Sequence, residues 1–194
     1  MDSLMTKNTT KLTALLLALL LSLSFLISCE KEGGSAPSGE DKPNVNYGSN
    51  IGDTATPYSL DPVKGNEKVN IKDYRGKIVV LNFWGTWCSP CRNELPDFNR
   101  VASEYDDVVI IAVHSVEGRE NAADYINDNF PYSKMIFAYD QPRPYTTDLY
   151  YDLLGGEMYY PYTVIINPEG VITYKTSGAM SHSQLLNAIN TAKN

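Results

Sequence analysis

From residue 51 onward the chain alternates continuous apolar runs with stretches of helical period. Residues Ile78–Trp84 (IVVLNFW) are apolar except for Asn82, as expected of a strand buried on both faces. Residues 89–105 repeat apolar side chains at Cys91, Leu95, Phe98, Val101 and Ala102, which is a helical period. A second buried run covers 108–116, followed by a helix at 120–130, a short strand at 135–138 and a helix at 146–154. Ahead of them, 58–60 and 69–71 are short extended pieces around a turn-rich stretch at 61–66. Segments 162–167 and 171–175 flank Pro168-Glu169-Gly170, a turn signal, and read as a hairpin. A terminal helix occupies 181–193, with Ser181 placed to cap its first turn. This order predicts an α/β domain built on a central mixed sheet covered on both faces.

The first 29 residues follow a different pattern. Lys7 and Lys11 precede a 16-residue Leu/Ala stretch interrupted only by Thr13, Ser22 and Ser24. A basic start followed by a short apolar run is a secretory signal, and this run falls short of the ~20 residues that span hydrocarbon. It ends in Leu26-Ile27-Ser28-Cys29, which resembles the bacterial lipoprotein signal. That resemblance implies a signal peptide over 1–28 and diacylglycerol on the Cys29 sulfur, giving a membrane attachment through lipid. An uncleaved anchor or a soluble secreted protein are the alternatives. The lipoprotein and anchor readings both place the remainder outside the cytoplasm, on the periplasmic side of a bacterial envelope and close to a membrane. Residues 30–50 are rich in Gly, Ser, Pro, Asn and charge, without apolar period. With Cys29 they form a flexible tether over 29–50 of ~25 Å r.m.s. reach, leaving 51–194 as one folded domain.

Composition narrows the function classes. The chain has 194 residues, 43% hydrophobic and 20% charged, which excludes disordered, collagenous and multi-span membrane proteins. Its net charge is −7, and becomes −8 once Lys7, Lys11 and Asp2 leave with the signal. An acidic chain with no Lys/Arg cluster lacks the means to neutralise phosphates, so no nucleic-acid partner is expected.

Cys88 and Cys91 are the only cysteines beyond the lipid site. They stand in Trp87-Cys88-Ser89-Pro90-Cys91, after a buried strand and at the start of a helix. Unpaired N–H groups and the macrodipole at a helix start stabilise a thiolate on Cys88. Pro90 falls in the first turn, where its missing N–H costs nothing. Cys91 comes one turn later, within disulfide distance but further inside. Lowering a thiol pKa from ~8.5 to ~7 raises the thiolate fraction at neutral pH ~16-fold. Reduced basicity takes back roughly 5-fold of that, so attack gains only ~3-fold. The larger gains must come from exposure of Cys88, its quality as a leaving group, and Cys91 held beside the mixed disulfide. As a structural staple so small a loop would contribute at most about 2 kcal/mol. Half a zinc site, with His114 and His182 as the available further ligands, and a buried inert pair are the other readings of these cysteines.

The stretch FWGTWCSPCRNELP at 83–96 resembles the TlpA/ResA-like branch of the thioredoxin superfamily. The resemblance extends over about 51–194, with Pro96 in the first helix and YPYTVIINPEG at 160–170. It implies a thioredoxin-like fold, a mixed sheet flanked by helices with an N-terminal β-hairpin extension. It implies a membrane-attached, extracytoplasmic thiol–disulfide oxidoreductase with no cofactor and no metal. Cys88 would attack and Cys91 resolve, forming a redox-active disulfide. Pro161 matches the family's cis-proline facing that disulfide, and the Tyr160 backbone would pair with an extended substrate. Trp87 would shield the disulfide from water. Thioredoxin carries a buried Asp where this chain has Asn82, and Glu94 stands three residues after Cys91 on the same helix face. Glu94 is therefore expected to replace that Asp as proton acceptor for Cys91, with a raised pKa if buried. Partners would be disulfide-containing exported proteins, apocytochrome c among the candidates, and a membrane thiol donor protein.

The chain departs from the family at 139–162, which holds seven of its 14 tyrosines. Most read as packing for a helix on the sheet; Tyr159 and Tyr160, beside Pro161, read as partner contacts. His114 reads as a satisfied strand residue. Two rival functions remain. A copper-handling module would need His182 to join the two cysteines. A thiol peroxidase needs a Thr three residues before the reactive Cys, and that position is Gly85.

Overall fold

The computed structural model describes residues 45–115, 118–140 and 159–193. The elements, in chain order, begin with four short strands: β1 Tyr47–Gly48, β2 Thr54–Ala55, β3 Ser59–Pro62 and β4 Val69–Asn70. A 3-10 turn at Ile71–Tyr74 leads into β5 Ile78–Trp84, helix α1 Ser89–Glu104 and β6 Val108–His114. Then follow α2 Arg119–Asn129, β7 Ile136–Tyr139, β8 Tyr162–Ile166, β9 Ile172–Ser177 and α3 His182–Ala192. The helix expected at 146–154 lies outside the described residues.

Seven strands form one sheet in the order β4-β3-β7-β6-β5-β8-β9. The pairs β5–β6 and β6–β7 are parallel, while β5–β8, β8–β9, β3–β7 and β3–β4 are antiparallel. This is the mixed sheet of a thioredoxin-like fold, with the hairpin β3–β4 added beyond β7. The apolar run of β5, interrupted only by Asn82, has the cause anticipated from its pattern. Ile78, Val80 and Trp84 join one core with Leu95, Phe98 and Val101 of α1, Ile126 of α2 and Leu185 of α3. Val79, Leu81 and Phe83 face a second core with Ile111, Val113, Val164 and Ile166. All three described helices contribute to the first core. The second is closed by Ala55, Leu60, Val69 and Ile71 of the N-terminal extension.

Residues 45–50, which read as the end of a tether, carry structure. Tyr47–Gly48 pairs with Thr54–Ala55, and the Asp53 carboxylate accepts from Asn46 Nδ2 (2.8 Å) and the Asn50 backbone (2.9 Å). The segment is tied to the start of β9: the Gly52 N–H donates to Ile172 O (2.8 Å) and the Ile172 N–H to Asp53 O (2.9 Å). The Ala55 N–H donates to Gly170 O (2.9 Å). A sequence of Gly, Asn and Ser has no apolar period to announce such pairing, because the backbone makes it.

Candidate active site

Strand β5 ends at Trp84, and the short connection 85–88 delivers Cys88 to the N-cap of α1. Cys88 and Cys91 form a disulfide, with Cα atoms 5.3 Å apart. Pro90 occupies the first turn, as the sequence required. The Cys91 N–H donates to Cys88 Sγ (3.2 Å), so an otherwise orphaned helix donor points at the sulfur that would carry charge on reduction. No acidic side chain sits in this first turn to oppose that charge. One expectation is corrected: Cys88 is not exposed. Its relative exposure is 4%, and Cys91 is fully buried. A cysteine whose sulfur is bonded to an inward neighbour and whose backbone is tied to Gly85 O (3.1 Å) is drawn into the core surface.

Beneath the pair, Cys91 and Glu94 lie one turn apart on the inner face of α1, both buried. Glu94 is 3% exposed. Its Oε1 accepts from Asn82 Nδ2 (2.8 Å), and its Oε2 accepts from the Met180 backbone N–H (2.8 Å). Burial disfavours the carboxylate and outweighs these two donors, so the Glu94 pKa is raised to about 7. A carboxyl poised there accepts and releases protons at neutral pH. Asn82 also donates to Thr163 Oγ1 (3.2 Å), its direct cross-strand partner on β8. Met180 and Thr163 were not singled out as site residues from the sequence. Met180 acts through its backbone, which no residue type reveals. Thr163 appeared only as part of a family pattern.

Above the disulfide motif, the Trp87 ring is 54% exposed. It packs edge-on against Tyr160, ring centroids 5.4 Å apart, and overlies Gly85, where an added Cβ would come within 2.7 Å of the indole Nε1. A Thr at position 85, as a peroxidase needs, would have to displace that ring. The Tyr160–Pro161 peptide bond is cis, and Tyr159 is exposed. Tyr139 is buried and stacks on His114, which also meets Trp84 edge-on (5.1 Å). Trp84, His114 and Tyr139 are register partners across β5, β6 and β7, so they form one row along the strand ends. Tyr162 is buried in the second core. The remaining tyrosines of the 139–162 stretch, and Cys29, lie outside the described residues. Among the described residues, Cys88, Cys91 and His182 are not gathered into a metal-holding group.

The comparisons with known proteins agree with this geometry. Residues 51–175 match the AhpC/TSA family. The chain is 33% identical over 144 residues to the thiol-disulfide oxidoreductase ResA of Bacillus thuringiensis subsp. konkukian, covering 70% of this chain and 74% of that one. It is 31% identical over 140 residues to the thioredoxin-like protein YneN of Bacillus subtilis, covering 69% and 75%. Among solved structures it resembles a thiol:disulfide interchange protein DsbE from Chlorobium tepidum. That match has 25% identity and a TM-score of 0.62, covering 74% of this chain and 97% of that one. It also resembles the exposed lipoprotein thioredoxin Etrx1 of Streptococcus pneumoniae, with 28% identity and a TM-score of 0.56, covering 70% and 98%. A dithiol pair at a helix start, on this sheet and with these relatives, makes the chain a member of the AhpC/TSA family and one of its ResA-like thiol–disulfide oxidoreductases.

Proposed function

We propose that this oxidoreductase works in the bacterial envelope, held to a membrane by lipid on Cys29, and reduces disulfides in exported proteins. The Cys29 signal and the lipoprotein name of its pneumococcal relative support the anchor. In the reduced enzyme the Cys88 thiolate attacks one sulfur of a client disulfide, and the other client sulfur leaves as a thiolate. The Cys91 thiol gives its proton to Glu94, and its thiolate attacks Cys88 of the mixed disulfide. The client's second sulfur leaves, and Cys88–Cys91 closes as in this structure. Two electrons pass to the client, and a membrane thiol donor returns them. Trp87, Tyr160 and Pro161 form the client-binding face, with the Tyr160 backbone offered to an extended segment. Apocytochrome c is the client class this proposal names first.

The observation that carries this reading is the disulfide at the N-cap of α1 standing one turn above a buried carboxyl with a pKa of about 7. Insulin reduction by purified protein, run beside an anaerobic copper titration, tests it. Turnover should vanish in Cys88→Ser, with no stoichiometric copper bound. Tight copper binding by a protein without exchange activity would overturn it. Cys91→Ser should accumulate mixed disulfides with clients in envelope extracts, which identifies those clients directly. If Glu94→Gln leaves the pH profile of exchange unchanged, the proton-acceptor role is wrong.

A further inference from the structure

Glu94 meets a different kind of partner at each oxygen. Oε2 accepts from the Met180 backbone N–H (2.8 Å), a donor that cannot become an acceptor. Oε1 accepts from the Asn82 side-chain amide, which carries donors at one end and an acceptor at the other. The arrangement seen here suits a charged carboxylate, which only accepts. A protonated carboxyl must also donate, and of the two groups bonded to Glu94 only Asn82 can turn to receive that proton. The Asn82 Oδ1 is buried and has no hydrogen-bond partner, so rotation of the amide breaks no bond at that end. The other group on the amide is equally reversible: Thr163 Oγ1 accepts from Asn82 now (3.2 Å), and its hydroxyl can donate instead.

The geometry points to Asn82 as a two-way positioning residue for Glu94. It donates to the carboxylate as seen here, and it inverts by about 180° to accept the carboxyl proton, with the Thr163 hydroxyl following. Its role is to keep Glu94 hydrogen-bonded in both charge states, so that the carboxyl can take a proton from Cys91 and return it with a partner at each of its two oxygens, the amide's own outer end staying unpartnered throughout. A buried Asp at this position would add a second negative charge beside Glu94; the amide offers both hydrogen-bond polarities with none. The surroundings contain little else that titrates. Strands β5 and β8 carry no charged side chain, and Tyr162 of β8 faces the opposite core. Cys91 faces from α1 itself, and His182 opens α3 two residues beyond Met180. This inference rests on Glu94 being the proton acceptor.

The test is side-chain amide NMR on isotope-labelled protein at about pH 5 and about pH 8.5, on either side of the Glu94 titration. At the higher pH the Asn82 amide protons should show strong cross-relaxation to the Thr163 and Glu94 side chains; at the lower pH those signals should be lost. Unaltered signals at both pH values overturn the inversion. The Asn82→Leu variant gives a kinetic readout. Loss of a two-way partner should lower resolution of the mixed disulfide about 10-fold on both limbs of the pH profile, since each charge state loses a hydrogen bond. A profile that only moves to higher pH, with its acid limb intact, would make Asn82 a plain donor and overturn the proposal. The two readings fail separately. An unchanged exchange profile in Glu94→Gln removes the acceptor role, whereas a changed profile with an immobile Asn82 amide removes only the inversion.

Discussion

A carboxyl with almost no exposure is expensive to ionise, and Glu94 makes the enzyme's stability depend on pH. Its folded pKa, about 7, stands above the ordinary 4.5, so between these values the folded state binds the proton and the unfolded state does not. The contribution of Glu94 to stability is therefore fully present below about pH 4.5, is lost as pH rises from there through about 7, and levels off above, about 3 kcal/mol in all. Urea unfolding of the oxidised protein across this range should show that fall, and Glu94→Gln should flatten it. A wild-type curve as flat as the variant's would mean the carboxyl ionises without cost. The same residue shows how far sequence reading reached at this level. Its spacing from Cys91 placed both on one helix face, and the structure buries both. That Asn82 and Met180 would grip its two oxygens followed from the packing of β5 and α3 against α1, elements distant in sequence.

Helix α1 carries the disulfide, whereas the β8–β9 turn closes the far end of the sheet, where Ile166 pairs with Val79 and not with the Phe83 end next to the site. In α1, Cys88 caps, Pro90 stands in the first turn and Leu95, Phe98 and Val101 anchor the helix, all of which follows from local pattern. The turn between β8 and β9 is also local in origin. The Gly170 N–H donates to Asn167 O (2.8 Å), and Gly170 adopts φ +86°, a region that favours glycine. What the pattern could not show is Arg75, whose guanidinium lies where a Gly170 Cβ would stand, 1.9 Å from Cζ. Gly170→Ala should therefore destabilise by about 1 kcal/mol from backbone strain alone, and by more with Arg75 present. Combining it with Arg75→Ala should recover the steric part only. Chemical denaturation of the single and double variants measures both. Equal losses with and without Arg75 would show that the guanidinium simply moves aside.

For the molecule as a whole, the N-terminal extension is a structural part of the fold. Its hairpin lengthens the sheet beyond β7, Leu60, Val69 and Ile71 close the second core, and residues 52–55 pair with the start of β9. Removing everything before residue 57 should cost about 2 kcal/mol or more relative to a chain beginning at 45. The loss comprises three backbone hydrogen bonds to 170–172, the bond from Lys175 Nζ to Ser49 O (2.7 Å) and the burial of Ala55. Hydrogen exchange at Ile172, whose N–H donates to Asp53 O, should accelerate in the shorter chain and report the loss locally. An unchanged unfolding midpoint would make 45–55 a passive extension of the tether. Among the described residues no helix is long and apolar enough to cross a membrane.

Local chemistry was readable from the chain because local forces produce it. Periodicity marked the buried strands and the helices, a turn tripeptide marked the hairpin, and two cysteines straddling a proline at a helix start marked the redox pair. Cys88 lies closer to the core surface than its position at a helix tip implied, because solvent access depends on neighbours that only folding assembles. The same holds for the Glu94–Asn82–Thr163 hydrogen bonds, the Trp87 ring over Gly85, and the row Trp84–His114–Tyr139 across three strands. Each joins residues from different elements, and strand order and register, which no single segment encodes, decided which of them meet.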